Sequence, residues 1–329
     1  MSKIRVAVLR GGPSDEYEVS LRTGENVLRA LDVHAYHPYD VVITKGGEWL
    51  QTGRVREPHE IVHGVDVVFN ALHGAYGEDG TVQRILERYG VPYTGSNSYA
   101  SAIAMNKAIA KDHIRHLNIK LPRHFVVGES ARSNTIGMAR SIHALFDTKY
   151  IVKPIAGGSS VGVVRADNEL ELASALYNTL DRFAQVIVEE FIEGIEATCG
   201  VIEDYRNSEL YTLPPVEIRP HSERQVFDYD AKYGGMVDEL CPSTFDDTVK
   251  REIERISRLV HQSLGLSQYS RSDFIVNDNG VYFLEVNTLP GLTTESLFPK
   301  ALSAVGAEYS HFIHHLLTRA HERGEPLVR

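Results

Sequence analysis

In the last third of the chain, four polar residues, Arg271, Asp273, Glu285 and Asn287, are spaced to share one face of a hairpin. The stretch from Ser270 to Gly291 reads as two apolar strands around a tight turn. Asp278-Asn279-Gly280 suits a three-residue loop, with Gly280 at the position that needs positive φ. That register pairs Asn277 with Val281, Asp273 with Glu285 and Arg271 with Asn287. Alternation with period two turns Phe274, Val276, Tyr282, Leu284 and Val286 the other way. Two carboxylates and an amide on one face match the oxygen ligands of a hard cation such as Mg²⁺, which keeps substrate phosphates in its shell. An exposed strand face with ordinary ion pairs is the other reading. Carboxylates side by side repel unless something neutralises them, which favours the metal.

A second candidate is the run KPIAGGSSVGV, which starts at Lys153. Its glycines let several N–H groups point one way and wrap a phosphate, and Lys153 can reach an anion. A plain hairpin with a surface lysine is the alternative. Lys107, on a helix that also carries Lys111, tilts the choice towards a nucleotide, because phosphoryl transfer needs positive charge on both sides of the moving group. Glu189 to Ile192 lie where a strand leaves one domain for another, and such backbone can hydrogen-bond a flat base. Glu196 is either a ribose acceptor or a solvent-facing strand residue. Glu16 and Glu18 either hold an amino group or are helix-start acids. His73, beside Gly74, is either a ligand contact or a capped loop histidine. His311 and His315, four apart on a helix with no third ligand, read as surface residues. Cys199 reads as core.

These groups need a scaffold, and the alternation of elements describes one. IRVAVL (residues 4–9) runs into Gly11-Gly12 as a buried strand feeding a glycine turn, and a helix with Leu21, Gly24, Leu28 and Leu31 follows. VDVVFNALHG then leads into a glycine-rich loop, His73 to Gly80. Strand–helix alternation of this kind predicts a parallel α/β domain with ligands at the strands' carboxyl ends. No P-loop and no GxGxxG occurs, so a dinucleotide fold is weakly supported. One helix is expected over about 98–117, and a smaller α+β unit follows. Residues 221–243 lack periodicity and read as a mobile functional loop. Asp246 is placed to cap a further helix, and a last helix covers about 308–322.

Composition excludes several classes. The 329 residues are 43% hydrophobic and 24% charged, ordinary for a globular chain of two or three domains. A net charge of −10 argues against nucleic-acid binding. Two cysteines without a CxxC argue against a disulfide framework or a zinc ribbon. Charged residues arrive too early for a signal peptide, and no apolar run approaches a membrane span, so a cytoplasmic enzyme is expected.

The set GGPSDEYEVSL, LHGAYGEDGTVQ, VKPIAGGSSVGV, VEEFIEG, DYDAKY, SRSDF and LEVNTLPG, in that order, resembles the D-alanine–D-alanine ligases of the ATP-grasp superfamily, nearly end to end. The resemblance implies a three-domain ATP-grasp fold of α/β and α+β parts: a parallel α/β domain over 1–98, a central subdomain over 99–191 and a C-terminal subdomain over 192–329 with the loop 221–243. It implies ATP-dependent joining of two D-alanines through an acyl phosphate for peptidoglycan precursors, with another D-amino acid or D-hydroxy acid as the alternative second substrate. Lys107, Lys153 and Lys232 match phosphate-binding lysines. Glu189, Phe191, Ile192 and Glu196 match adenine and ribose contacts. Asp273, Glu285 and Asn287 match ligands of Mg²⁺, usually two ions, with Mn²⁺ as a substitute. Arg271 and Gly291 match groups at the transferred phosphoryl and the oxyanion. Glu16, Ser159 and Tyr233, with His73 beside them, match a set that holds the first D-alanine, and Ser296 and Leu297 fall where the second binds. A homodimer is implied too. The chain departs from the pattern at Asn106, where an acid is common, and at Glu295, where histidine is frequent.

Overall fold

The computed structural model describes residues 3–146, 149–159, 161–220 and 237–324. The N-terminal part contains β1 (Ile4–Gly11), α1 (Tyr17–Ala30), β2 (Tyr36–Ile43), β3 (Trp49–Gln51), β4 (Arg54–Arg56), α2 (Pro58–Val62), β5 (Val67–Asn70) and α3 (Thr81–Arg88). Its sheet has the order β4-β3-β2-β1-β5. β2, β1 and β5 are parallel, as the strand–helix alternation predicts, while β3 and β4 extend the edge as antiparallel strands. β1 is apolar on both faces because both are covered. Val6 and Val8 pack towards α1, whereas Ala7 and Leu9 pack with Val82 and Leu86 of α3.

A pair of helices follows, α4 (Ser98–Met105) and α5 (Lys107–Ile114), where one continuous helix over 98–117 is expected. The break has a local cause. Asn106 is extended (φ −87°, ψ 103°), and its side chain caps the second helix by accepting from the Ile109 N–H at 3.1 Å. The departure at Asn106 thus keeps a residue type that caps as well as an aspartate.

The central unit contains β6 (His124–Gly128), α6 (Thr135–Phe146), β7 (Tyr150–Pro154), β8 (Val164–Ala166), α7 (Glu169–Leu180) and β9 (Gln185–Glu190). Its antiparallel sheet, β6-β9-β7-β8, packs Val152 and Val188 against Ile142 of α6 and Leu172 and Leu176 of α7.

The third sheet is built from β10 (Ile195–Tyr205), β11 (Ser208–Thr212), β12 (Val216–Pro220), β13 (Val237–Leu240), β14 (Tyr269–Asn277) and β15 (Gly280–Asn287), with α8 (Asp247–Ser263), α9 (Leu297–Ala304) and α10 (Tyr309–Gly324). β13 corrects the expectation of an aperiodic 221–243 segment. Its last part is a strand paired with β12 along Glu217↔Leu240 to Pro220↔Val237. α8 and α4 cover one face of β10, β14 and β15. α10 crosses back, so that Phe312, Ile313 and Leu316 share a core with Val6, Val67 and Phe69 of the N-terminal sheet. His315 is not a surface residue: its Nε2 lies 2.8 Å from the Glu203 carbonyl and its ring meets Tyr205.

Candidate active site

The β14–β15 hairpin pairs Arg271 with Asn287 and Asp273 with Glu285, as the spacing predicts. It does so by another route. The turn is tighter by one residue, because Asn277 pairs with Gly280, whose φ is +123°. The register then shifts between Asp273 and Phe274, and the extra residue on β15 is Leu284. This bulge restores the polar pairs. It also reverses the faces near the turn: Val281 and Phe283, not Tyr282 and Leu284, join Phe274, Val276 and Val286 in the core.

On the polar face, the Arg271 guanidinium donates through Nε to Asp273 Oδ1 at 2.8 Å and through Nη2 to Oδ2 at 2.9 Å. Thr198 Oγ1 donates to Oδ1 at 2.7 Å and Asn287 Nδ2 to Oδ2 at 3.0 Å. Burial works against the Arg271 charge, but the adjoining Asp273 carboxylate raises its pKa above the usual value. Lys107 Nζ lies 3.3 Å from Glu285 Oε2 and donates to the Gly157 carbonyl at 2.7 Å. The first residue of α5 therefore joins the Gly/Ser loop to the hairpin. Lys107, Gly157, Gly158, Glu285 and Asn287 bound one small cavity, with Glu78 beside them.

Among the described residues, no trio of His, Cys, Asp or Glu side chains clusters as a metal site. The candidate donor set is two carboxylates and an amide on adjacent strands. All three supply hard oxygen, and the two carboxylates stand opposite each other with a cation against each. That donor chemistry fits Mg²⁺.

The N-terminal part forms the other side. Ser159, in the left-handed region at φ +52°, donates its hydroxyl to Glu16 Oε1. Gly74 and Gly158 crowd the same carboxylate: a Cβ on either would stand 3.1–3.2 Å from its oxygens. His73 is 5% exposed and lies inward. Its Nδ1 lies 2.9 Å from the Leu289 carbonyl, which can only accept, so Nδ1 carries the proton and Nε2 accepts from Thr23 Oγ1 at 2.8 Å. Burial lowers its pKa and keeps the ring neutral. His73 therefore ties the glycine loop to the turn after the hairpin.

Glu78 makes the same link, and spacing alone did not single it out. Its carboxylate accepts from Gly74 N–H at 2.7 Å and Leu289 N–H at 2.9 Å. Burial, and then the nearby Glu16, push it up to about 8. The visible signal was an acid inside a glycine-rich loop at a strand's carboxyl end.

Lys153 is the penultimate residue of β7, and its Nζ lies 2.9 Å from Glu189 Oε2. Lys111 holds the other oxygen of Glu189 and is another residue that spacing left without a role. Phe191 and Ile192 begin the short link, residues 191–194, from β9 to β10. The Phe191 N–H donates to the Lys149 carbonyl at 2.8 Å, and the Arg165 guanidinium stacks 4.5 Å from its ring. Glu196 lies half-buried on β10, opposite Ile275. Ser296 precedes α9, with Oγ 2.8 Å from Thr293 Oγ1, and Leu297 is buried in the core. A Cβ on Gly291 would stand 2.8 Å from Ser296 Oγ and so would displace that hydroxyl. Lys232 and Tyr233 lie outside the described residues, with the rest of 221–236.

The chain as a whole is similar to known proteins. The family described as D-ala D-ala ligase N-terminus matches residues 5–63 and 52–96, and the one described as D-ala D-ala ligase C-terminus matches 114–318. A D-alanine–D-alanine ligase of Syntrophobacter fumaroxidans is 36% identical over 97% of this chain and 98% of its own. The solved D-alanine–D-alanine ligase of Bacillus anthracis, complexed with ATP, is 30% identical with a TM-score of 0.79, covering 97% and 98% of the two chains. The VanG D-Ala:D-Ser ligase of Enterococcus faecalis is 27% identical with a TM-score of 0.82, covering 97% and 100%.

Proposed function

The chain belongs to the D-alanine–D-alanine ligase family, and we propose on that footing that it joins two D-alanines in a reaction driven by ATP. The observation that carries the reading is Lys107. This one cation touches both the Gly/Ser loop and the Glu285 carboxylate, and so marks where phosphates would lie between loop and hairpin.

In the proposed reaction a carboxylate oxygen of the first D-alanine attacks the γ-phosphorus, the bond to ADP breaks, and an acyl phosphate results. The amine of the second D-alanine, its ammonium proton given up to solvent, attacks the acyl carbon and gives up a second proton to solvent as the C–N bond forms. The tetrahedral oxyanion collapses and phosphate leaves with the bonding electrons. Lys107, Lys153 and Lys232 are assigned to the phosphates, where fixed positive charge counters charge that builds up in the transition state. Arg271 is assigned to the transferred group, held in direction by Asp273. Glu16, Ser159 and Tyr233 are assigned to the ammonium and carboxylate of the first substrate, and Gly291, Ser296 and Leu297 to the oxyanion and the second. Glu189, Phe191, Ile192 and Glu196 are assigned to the nucleoside side. Asp273, Glu285 and Asn287 would hold Mg²⁺, which when bound neutralises the phosphate oxygens. The segment 221–243 would keep water from the acyl phosphate, which hydrolysis would destroy. The three subdomains 1–98, 99–191 and 192–329, a homodimer and a cytoplasmic location belong to the same proposal. Among the described residues, no helix is long and apolar enough to cross a membrane.

The test is product identification by mass spectrometry with ATP, Mg²⁺ and D-alanine. D-alanyl-D-alanine is the expected product, and no D-alanine-dependent product would refute the reading. Likeness to a D-Ala:D-Ser ligase makes D-serine the competitor to include. Light scattering tests the dimer.

A further inference from the structure

The reaction as drawn makes no use of Lys111. It stands one helical turn after Lys107 on α5 and is 0% exposed, its ammonium ion-paired with Glu189 Oε1. Lys153 Nζ takes Oε2 of the same carboxylate at 2.9 Å. Glu189 is 2% exposed and Lys153 is 7% exposed. A buried carboxylate holds an ammonium strongly, and the pair formed is neutral. With Lys153 as its one partner, Glu189 would cancel the charge that Lys153 offers to a phosphate. Lys111 changes the count, because two ammoniums and one carboxylate leave one net positive charge. Lys153, the most exposed of the three, is where that charge can meet a ligand.

The geometry points to Lys111 as a positioning residue for the nucleotide: it engages one oxygen of Glu189 so that Lys153 faces the ATP phosphates as an uncompensated cation. This rests on the ATP-dependent reading above. The surroundings agree with it. Burial works against ionising Glu189, yet Lys111 and Lys153 bring its carboxyl down to about 2. Burial lowers Lys111 only to about 8, so it stays charged at neutral pH. Glu285 and Asp273 also act on Lys153, from the side where the metal and phosphates are assigned.

The experiment measures binding of ATP and of adenosine, by competition with a fluorescent ATP analogue, in wild type, Lys111→Met and Lys111→Met/Glu189→Gln. Lys111→Met leaves Glu189 and Lys153 as a neutral pair, so the ATP dissociation constant is expected to rise about tenfold or more while adenosine changes less than about twofold. The double variant removes both buried charges and restores the net charge of one. Because Glu189 is itself assigned to the nucleoside side, its change acts on ATP and adenosine alike, and the ratio of the two dissociation constants is expected to return to within about threefold of wild type. A folded Lys111→Met that binds ATP like wild type would overturn the inference. So would equal losses for ATP and adenosine in Lys111→Met, the mark of a merely structural role, or a double variant whose ATP-to-adenosine ratio is no better than that of the single one. If Lys111→Met does not fold, the double variant decides: a ratio of ATP to adenosine dissociation constants within about threefold of wild type supports the inference, and a larger ratio overturns it. The readout is nucleotide binding. A wild type that releases no phosphate in response to D-alanine would refute the ligase reading while leaving this comparison intact.

Discussion

The Ser159 hydroxyl donates to the carboxylate of Glu16, a residue 143 positions earlier in the chain. This bond fastens the Gly/Ser loop of the central unit to the start of α1. Ser159 holds φ at +52°, where L-residues are uncommon, so its surroundings over-determine the conformation. Ser159→Ala removes a hydrogen bond to a charged group and leaves a carboxylate short of a donor. kcat/KM for the first D-alanine is expected to fall about tenfold or more, with the melting temperature little changed. Steady-state rates at varied D-alanine check it, and wild-type constants would count against the anchoring role.

Glu203 stitches α10 to the third sheet. It accepts from the Gln268 N–H and the Arg323 guanidinium, each at 2.6 Å, with the His261 ring 3.5 Å away. Burial opposes its charge, but His261, Gln268 and Arg323 hold the carboxyl at about 2. A pKa depressed in the folded state stabilises above the unfolded value near 4.5, and that stability is lost as pH falls towards 2. Glu203→Gln should therefore cost about 2 kcal/mol at pH 7, after discounting for its partial exposure, and somewhat less than half of that at pH 3. Thermal melts at the two pH values check this. An equal difference at both would contradict it.

Gly200 sits on β10 opposite Arg271, and a Cβ there would stand 2.7 Å from Phe298 and 2.9 Å from Leu213. Both neighbours are packed in the core. Gly200→Ala is expected to destabilise by about 1–3 kcal/mol, read as a lower melting temperature. Unchanged melting would mean that this core yields more readily than its packing implies.

Part of this site was legible in the sequence, because period two puts Arg271 with Asp273, and Glu285 with Asn287, on one face of each strand. The pairing across the strands came out as counted only because the tighter turn and the bulge offset each other. The bulge at Leu284 was not legible, because Val281 to Leu284 is an unbroken apolar run and alternation has no phase there. The break at Asn106 was hidden by good helix formers on both sides, although asparagine is itself a capping residue. Lys111 gave no local sign and Glu78 only its place in a glycine-rich loop, since their burial is decided by segments distant in the chain. For the same reason, no run of residues announced that α10 packs on the N-terminal sheet.

The central claim is that the β14–β15 face, held by Lys107 and Arg271, is where phosphoryl transfer occurs. Its most direct test is D-alanine-dependent phosphate release by wild type and Glu285→Ala in saturating Mg²⁺ and ATP. The account predicts a loss of at least about a hundredfold, with melting temperatures that stay close, because a metal ligand is lost but no core is opened. Equal rates for the two proteins would contradict it.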